Sequence, residues 1–313
     1  MSTRQSTAAR SNRVPAIVGG VIVLLIVAVV AFLLLSSRKP AAVTPSPSAS
    51  AQATFDEALL NKRLTVLVIG TDVNKARAAK GEGVNTDSLM LASISAGQKS
   101  ILLVSVPRDT VDVPLPGGKK WDQKINALYA EKGVGALVSA MKELFGVPID
   151  GYVTVDMDDF QSLVDAVDGI DVNPEKPLDD PKIGLKLDAG KQHLDAATAL
   201  KYVRTRVDQD YGRAGRQQEV IVALVAKLVD PTTKVILRAL LKGLKSLKTD
   251  LPLEELPTLA EIARRSKDAT VTKQVIEPPE FITFEGDRGD GRGYILQPDV
   301  EKIRAFVQGK IGT

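Results

Sequence analysis

The stretch YVRTRVDQDYGRAGRQQ, residues 202–218, concentrates permanently charged side chains that could bind an anion. Arg204 and Arg206 are two residues apart, so they share a face only where the backbone is extended. Arg213 and Arg216 are three residues apart and share one face of a helix. A chain that leaves one helix, loops and enters a second helix here could direct all four guanidinium groups toward one point. These groups match phosphate oxygens and keep their charge, so the spacing predicts binding of a phosphorylated oligoanion.

Two interpretations of this arginine cluster remain open from its residues alone. In the first, the helix that begins near Arg213 also points its free N–H groups at the bound anion. In the second, Asp208 and Asp210 neutralise the arginines in a surface ion-pair network, an arrangement that is common and individually weak. The residues that surround the cluster must decide between the two.

Further charged residues stand where predicted strands begin or end. Asp72 closes the apolar run LTVLVIGTD, Asp87 opens DSLMLASIS, and Arg108 closes SILLVSVPRD. Mg²⁺ takes one or two protein carboxylates and completes its coordination with phosphate oxygens and water. The pattern therefore predicts Mg²⁺ as a cofactor held by Asp72 and Asp87, with Arg108 as a phosphate contact.

The segment WDQKINALY offers Lys124 and Asn126 as further phosphate or sugar contacts, and its alternative interpretation is an exposed helix start. Trp121 is more typical of packing than of a sugar platform. The single histidine, His193, lies in the turn GKQHLD without a Ser or Asp placed for a catalytic triad, so we regard it as incidental. The chain has no cysteine, which excludes a thiol nucleophile, a disulfide and a zinc–thiolate site.

Alternating strands and helices position these residues. An antiparallel hairpin is expected around AGQK, and YVTVD and GIDV are further strands. The expected helices are GVGALVSAMKELFG (133–146), MDDFQSLVDAV with Asp158 or Asp159 as its cap, LDAATALKYV, and RAGRQQEVIVALVAKLV. This order predicts an α/β fold with a mixed central sheet sandwiched by helices.

The beginning of the chain indicates a membrane anchor. Residues 16–35 are twenty uncharged, predominantly apolar positions, which at ~1.5 Å per residue match a bilayer core of ~30 Å. This run is longer than the apolar region of a cleaved signal peptide. Arginines in residues 1–15 favour a cytoplasmic tail, and residues 36–54 form a Pro/Ser/Ala-rich linker. We therefore expect a single-pass cell-membrane protein whose globular part is extracytoplasmic.

The globular part divides into a domain at 55–230 and a C-terminal helical extension at 231–313 that completes it. The extension begins with KVILRALLKGLKSLK, a basic stripe from Lys234 to Lys248 that is either a solvated face or a contact with anionic membrane lipid. The chain has 313 residues, of which 44% are hydrophobic, so a sizeable core is possible. Its formal charge of +3 is small and by itself indicates little about partners. No helix-turn-helix pattern is present in the sequence, so we expect no nucleic-acid partner.

Seven ordered motifs between residue 64 and about residue 228 resemble the LytR-CpsA-Psr family. They are VLVIGTD, NTDSLML, SVPRDT, KINALYAEKG, GYVTVDMDDFQSLVDAVDGIDV, LDAATALKYVRTR and GRAGRQQ. The resemblance implies a glycopolymer–peptidoglycan phosphotransferase. Its donor would be a polyprenyl diphosphate-linked glycan and its acceptor a muramoyl hydroxyl of peptidoglycan. The polymers that the family attaches include wall teichoic acid, capsule and arabinogalactan.

The resemblance also implies roles for individual residues. Asp72 and Asp87 match the family's magnesium-associated aspartates. Its diphosphate-binding arginines correspond to Arg108, Arg204, Arg206 and Arg216. Further motif positions, with less defined contacts to the substrate, are Lys124, Asn126, Arg213 and Gln217.

Transfer of a glycosyl phosphate requires an acceptor oxygen in line with the bond that breaks and neutralisation of the phosphate charge. We expect Arg108 and Arg206 to supply that neutralisation, with Asp87 as the candidate group that removes the proton. The lipid tail requires an apolar groove, for which the helices at 133–146 and 220–229 are candidate walls. Ordinary core packing explains these two helices equally well.

Two other functions fit the same residues. With water as the acceptor, the site would be a polyprenyl-diphosphate hydrolase, because water and a sugar hydroxyl need the same arginines. Without catalysis, the domain would bind lipid-linked glycans as a scaffold or regulator of other envelope enzymes. A transcriptional regulator is disfavoured because the arginine cluster lies across the predicted membrane span from DNA.

Overall fold

The computed structural model describes residues 55–72, 84–230, 232–235, 247–252 and 255–312. The predicted tail, membrane span and linker lie outside the described residues, as does most of the basic stripe. Within the described ranges, no helix is both long enough and apolar enough to cross a membrane.

The secondary structure alternates along the described chain. The helices are α1 (Glu57–Leu60), α2 (Ile125–Phe145), α3 (Met157–Ala166), α4 (Ala196–Arg204), α5 (Gln209–Val229), α6 (Leu256–Arg265) and α7 (Val300–Ile311). The strands are β1 (Leu64–Thr71), β2 (Thr86–Ile94), β3 (Ser100–Val106), β4 (Val113–Pro114), β5 (Lys120–Trp121), β6 (Gly151–Val155), β7 (Ile170–Val172), β8 (Leu178–Asp180), β9 (Leu185–Leu187), β10 (Gln192–Leu194), β11 (Lys248–Thr249), β12 (Thr270–Val275), β13 (Ile282–Asp287) and β14 (Tyr294–Pro298).

In the described part of the chain, the central sheet has six strands in the order β11-β6-β1-β2-β3-β12. β1 pairs parallel with β6 and antiparallel with β2, while β3 pairs antiparallel with β2 and parallel with β12. The predicted mixed sheet and the hairpin around AGQK are therefore confirmed. Because β2 runs opposite to β1, β3 and β6, its first residue lies at the same end of the sheet as their last residues. We call this the site end of the sheet.

Helices cover both faces of the sheet, which explains why β1 reads as a continuous apolar run rather than an alternating one. Val66 and Val68 pack on one face in a core that also contains buried residues of α3, α4, α5 and α6. Leu67 and Ile69 pack on the other face in a core that contains buried residues of α2 and α7. The predicted sandwich of helices is confirmed.

Several predicted helix boundaries differ from the structure. The helix expected from Arg213 begins earlier, at Gln209. The helix expected at 133–146 begins earlier, at Ile125, and changes direction at Gly133 (φ 82°, ψ 171°). It ends as expected, since Gly146 is left-handed and its N–H donates to the carbonyl of Lys142. The cap of α3 is Asp156, not Asp158 or Asp159, because the Asp156 side chain accepts from the backbone N–H of Asp159 at 2.7 Å.

The expectation of a helical extension at 231–313 is wrong in its secondary structure. This region supplies β11 and β12, which form the two edges of the central sheet, and the separate hairpin of β13 and β14. Its described helices are α6 and α7. Lys248, assigned to the basic helical stripe, begins β11 instead. The sheet is therefore incomplete without the residues that follow 230.

Candidate functional site

A largely apolar cavity of about 820 Å³, including the solvent at its opening, lies between the central sheet and helices α3, α4 and α5. Its apolar lining comes from Val68, Val155, Met157, Phe160, Leu163, Leu200, Val203, Val220, Ile221 and Leu224. Its polar lining includes Thr71, Asp72, Asp87, Ser88, Asp156, Arg204 and Gln217. The carboxylates from β1 and β2 belong to the site end of the sheet, so one cavity joins an apolar channel to a charged end.

Asp87 is placed by an irregularity in the β1–β2 ladder. Gly70 pairs with Ser88 whereas Thr71 pairs with Thr86, so Asp87 is left without a partner residue. Such a bulge bends a strand locally and redirects a side chain. A Cβ atom added at Gly70 would lie 2.9 Å from the Ser88 Cβ, which explains the glycine beside the bulge. The local geometry thus places the Asp87 carboxylate at the cavity.

Asp72 is held in place by Asn85, a residue that the sequence analysis missed. The backbone N–H of Asn85 donates to Oδ1 of Asp72 at 2.9 Å, and its side-chain Nδ2 donates to Oδ2 at 3.2 Å. The Asp72 N–H donates in turn to the carbonyl of Asn85. This reciprocal pairing fixes a buried carboxylate beside Asp87 in the lining of the cavity.

Arg108 and Arg206 converge on the carboxylate of Asp87. Nη1 of Arg108 lies 2.6 Å from Oδ1 of Asp87, and Nη2 of Arg206 lies 3.9 Å from the same oxygen. Burial acts to lower the pKa of Arg108, but its hydrogen bond to Asp87 and the Asp87 charge raise it overall. Nε of Arg108 is buried and has no hydrogen-bond partner. Oδ2 of Asp109 lies 3.7 Å from this nitrogen.

Asp109 links Lys124 to this group and was not identified from the sequence. Its buried carboxylate lies 2.9 Å from Nζ of Lys124 and 3.7 Å from Nε of Arg108. Asn126 approaches Arg108 through its backbone, since its N–H donates to the Arg108 carbonyl at 3.2 Å. Trp121 is buried and donates to the Lys124 carbonyl, which confirms packing as its role.

Arg213 occupies a buried position near the same cluster. Its Nη2 lies 3.3 Å from Oδ1 of Asp210, and Nε of Arg206 lies 3.4 Å from that oxygen. Burial lowers the pKa of Arg213 despite the adjacent Asp210, and its Nε has no hydrogen-bond partner. Arg213 is therefore a buried cation that contacts the arginine cluster through Asp210 and does not belong to the lining of the cavity.

Arg216 differs from the other three arginines of the stretch. Its buried guanidinium donates to the carbonyl of Tyr202 at 2.9 Å, to the carbonyl of Thr205 at 2.5 Å and to Oδ2 of Asp208 at 2.5 Å. These contacts hold the α4–α5 loop, and Arg216 does not belong to the lining of the cavity. Direct contact between Arg216 and a diphosphate therefore stays a prediction that this geometry does not favour.

The remaining predicted residues divide between the cavity and the surface. Arg204 and Gln217 line the cavity, and Nε2 of Gln217 donates to the Val203 carbonyl at 3.3 Å. His193 is exposed and forms a surface pair with Asp171, with 2.7 Å between Nδ1 and Oδ1. Of the predicted site residues, Asp72, Asp87, Arg204 and Gln217 line the cavity, whereas Arg108 and Arg206 reach it through their ion pairs with Asp87.

Only one of the two predicted groove walls lines the cavity. Residues of α5 line it, whereas the buried residues of α2 pack on the opposite face of the sheet. The interpretation of 133–146 as a groove wall is wrong because alternate residues of β1 face opposite sides, and α2 covers the side of Leu67 and Ile69.

Asp72 and Asp87 suit a metal ion that takes its remaining ligands from a bound substrate. Asp72 and Asp87 both line the cavity, yet the described residues contain no group of three His, Cys, Asp or Glu side chains that could hold a metal. Mg²⁺ is bound in this way, through one or two carboxylates together with phosphate oxygens. The donor set therefore fits Mg²⁺ in the presence of a phosphorylated ligand.

The sequence of this chain matches a known family. The model of the LytR_cpsA_psr family matches residues 33–305. The chain belongs to this family, and the match includes the edge strand β12 and the β13–β14 hairpin, which lie beyond the seven motifs.

Three proteins from three organisms are similar to this chain in sequence. The chain is 29% identical over 244 residues to the Bacillus subtilis polyisoprenyl-teichoic acid–peptidoglycan teichoic acid transferase TagV, covering 74% of this chain and 61% of TagV. It is 29% identical to biofilm regulatory protein A of Streptococcus mutans, covering 80% and 64%, and to the transferase TagU of Enterococcus faecalis, covering 80% of each chain. The match thus spans less than two thirds of the first two relatives.

The crystal structure of Bacillus subtilis TagV is also similar to this fold. It superposes with a TM-score of 0.64 at 26% identity, over 80% of this chain and 98% of that structure.

Proposed function

We propose that this protein is a Mg²⁺-dependent phosphotransferase that moves a glycosyl-phosphate polymer from a polyprenyl diphosphate carrier to a hydroxyl of peptidoglycan. The observation that carries the proposal is the cavity itself, which joins an apolar channel to a cluster of arginines and carboxylates. The names of the TagU and TagV relatives support the same class of donor and acceptor.

The apolar channel between the sheet and α3, α4 and α5 would hold the lipid. Its walls are aliphatic and aromatic side chains such as Phe160, Leu200 and Ile221. Burial of each methylene of a polyprenyl chain contributes about 0.8 kcal/mol, so even part of the chain supplies substantial affinity. The channel ends beside Asp72 and Asp87, which would place the diphosphate at the arginines.

The arginines would neutralise the diphosphate. Arg204 lines the cavity, and Arg108 and Arg206 share the Asp87 carboxylate. Arginines that bind both phosphates stabilise the charge that develops on the transferred phosphoryl group and on the departing lipid phosphate. Arg213, which is buried and whose Nε has no hydrogen-bond partner, would add positive charge beside the more exposed arginines.

Asp72 and Asp87 would hold Mg²⁺. When bound, the ion would supply charge neutralisation at the phosphate oxygens. Asp87 is already 2.6 Å from Arg108, so protonation of Asp87 would weaken an existing ion pair. This geometry argues against Asp87 as the group that removes the acceptor proton. It favours a role for Asp87 in holding Arg108 and Mg²⁺ in position.

Location at the membrane belongs to the same proposal. Residues 16–35 would anchor the chain in the cell membrane with the amino terminus in the cytoplasm, and the described domain would work outside. This arrangement brings the cavity to a lipid-linked donor and to peptidoglycan. The basic segment 234–248 would provide an additional contact with anionic membrane lipid.

A reconstituted reaction tests the function. The full-length protein in liposomes would be incubated with Mg²⁺, a polyprenyl diphosphate-linked glycan and peptidoglycan oligomers. We expect a phosphodiester-linked product by mass spectrometry, and no product after Mg²⁺ is removed with EDTA. Release of lipid phosphate without a linked product would identify a hydrolase. Donor binding without any reaction would identify a scaffold.

Filling the apolar channel should weaken binding of long-chain donors. Leu200 lines the cavity from α4, and the substitution Leu200→Trp would place an indole ring in it. Because overfilling a packed apolar space costs about 1–3 kcal/mol, the dissociation constant of a long polyprenyl diphosphate should rise by about tenfold or more. Isothermal titration with long-chain and short-chain donors would measure the difference.

Ala197→Trp is a matched control for this experiment. Ala197 is an exposed residue of the same helix and does not line the cavity, so the same ring is added on the solvent side. Equal affinity of Leu200→Trp and wild type for the long-chain donor would contradict the assignment of the channel.

A further inference from the structure

The β13–β14 hairpin is attached to the chain segment that carries Arg108. The N–H of Leu296 in β14 donates to the Asp109 carbonyl at 3.1 Å, and the N–H of Val111 donates to the Leu296 carbonyl at 3.0 Å. Leu296 and Ile282 belong to the core on the α2 side of the sheet, whereas the apolar channel lies on the α5 side. The hairpin thus approaches the arginine cluster from the side opposite the lipid channel.

Two tyrosines and a glutamate meet at this hairpin. The Tyr294 hydroxyl of β14 donates to Oε1 of Glu285 in β13. Tyr211 of α5 follows Asp210 directly, and its hydroxyl is buried without a hydrogen-bond partner of normal geometry. Burial raises the pKa of Tyr211, and the charge of Glu285 raises it further, with a smaller contribution from Glu277. Both phenols therefore remain protonated at neutral pH and face one carboxylate.

This group lies within electrostatic reach of the arginine cluster. Burial and the hydrogen bond to Glu285 raise the pKa of Tyr294 to about 12, and the charges of Asp109 and Asp210 contribute to the increase. Asp109 is the ion-pair partner of Lys124, and Asp210 is adjacent to both Arg206 and Arg213. The Tyr294 ring is also 49% exposed, which leaves a face on which a sugar ring can pack.

We propose that Glu285, Tyr294 and Tyr211 form the subsite for the acceptor sugar, and that Glu285 is the general base. The inference rests on the proposed phosphotransferase function. The acceptor oxygen forms a bond to the transferred phosphorus as its proton passes to the Glu285 carboxylate. The bond from that phosphorus to the bridging oxygen breaks, and the electron pair leaves with the polyprenyl phosphate.

Two observations favour Glu285 over Asp87 as the base. Asp87 is committed to Arg108 at 2.6 Å, whereas Glu285 forms no ion pair among the described residues and is bonded by a neutral phenol. The hairpin also lies across the arginine cluster from the lipid channel. An acceptor bound there approaches the phosphorus from the side away from the leaving lipid phosphate, which in-line displacement requires.

The test compares Glu285→Gln with wild type in the full-length protein. Amide substitution keeps the shape of the side chain but removes the proton acceptor, so the transfer rate should fall about 100-fold or more while donor binding stays unchanged. The loss should appear in kcat rather than in KM for the donor. Tyr294→Phe should mainly raise KM for the peptidoglycan acceptor.

Glu280→Gln is the matched control, because Glu280 is an exposed glutamate just before the hairpin and lies outside the proposed subsite. Thermal unfolding would establish that each variant is folded. If Glu285→Gln transfers at the wild-type rate while the wild-type protein is active, the acceptor subsite is wrong but the proposed function is not. A wild-type protein that binds donor but forms no linked product would overturn the proposed function and the subsite with it.

Discussion

Replacing Arg108 with alanine should lower the rate of glycopolymer transfer by about a thousandfold, since arginines that neutralise a transferred phosphoryl group contribute on that scale. Arg108 donates to Asp87 and its side chain is partly exposed, so its guanidinium is both held at the site and accessible to a ligand. Transfer would be followed by product formation in liposomes, and donor affinity by titration. We expect the larger loss in kcat.

Arg264→Ala provides the comparison for this variant. Arg264 is an exposed arginine on α6 that pairs with Glu261, so its removal changes the net charge by the same amount without touching the cavity. Transfer at the wild-type rate by Arg108→Ala, with Arg264→Ala also active, would show that Arg108 is not part of the chemistry.

The second large effect concerns stability rather than transfer. Arg216→Ala should lower the free energy of unfolding by roughly 2–6 kcal/mol, because the buried carbonyls of Tyr202 and Thr205 lose their donor at about 1–3 kcal/mol each. Urea denaturation followed by circular dichroism would measure the change. Transfer would also fall, because the α4–α5 loop carries Arg206.

Arg206→Ala is the matched variant for this second prediction. Arg206 is 43% exposed and has ion pairs at 3.4 and 3.9 Å, so its loss should cost less than about 1 kcal/mol of stability. Transfer by Arg206→Ala should nevertheless fall strongly at an unchanged midpoint of unfolding. Equal stability of the Arg216→Ala and wild-type proteins would contradict the loop-holding role of Arg216.

The parts of the fold that could be predicted are those specified by local pattern. The run LTVLVIGT and the hairpin around AGQK contain their own periodicity and turn signals, and α2 ends at Gly146 as its left-handed cap requires. The edge strands β11 and β12 were missed because their pairing depends on residues far away in the chain. Thr270, for example, pairs with Ser100.

The site was predictable in its residue types but not in its division of roles. Spacing grouped four arginines, yet it could not reveal that Arg216 is used to bond backbone carbonyls while Arg213 keeps an unpartnered Nε. That difference depends on which side of α5 meets the preceding loop. Asp109 followed Arg108 in the sequence, and its role became visible only when Lys124 was found 2.9 Å from it.

The position of β12 in the central sheet has a consequence for biosynthesis. β3, which leads directly to Arg108, remains an unpaired edge until β12 has been made, and the two pair between Thr270–Val275 and Ser100–Val106. An exposed edge strand can pair with other chains, so an incompletely synthesised molecule is vulnerable to aggregation. Pairs so distant along the chain also form slowly. The sheet that supports the arginine cluster is therefore completed only after the residues of β12, which follow β3 by well over a hundred positions, have been synthesised.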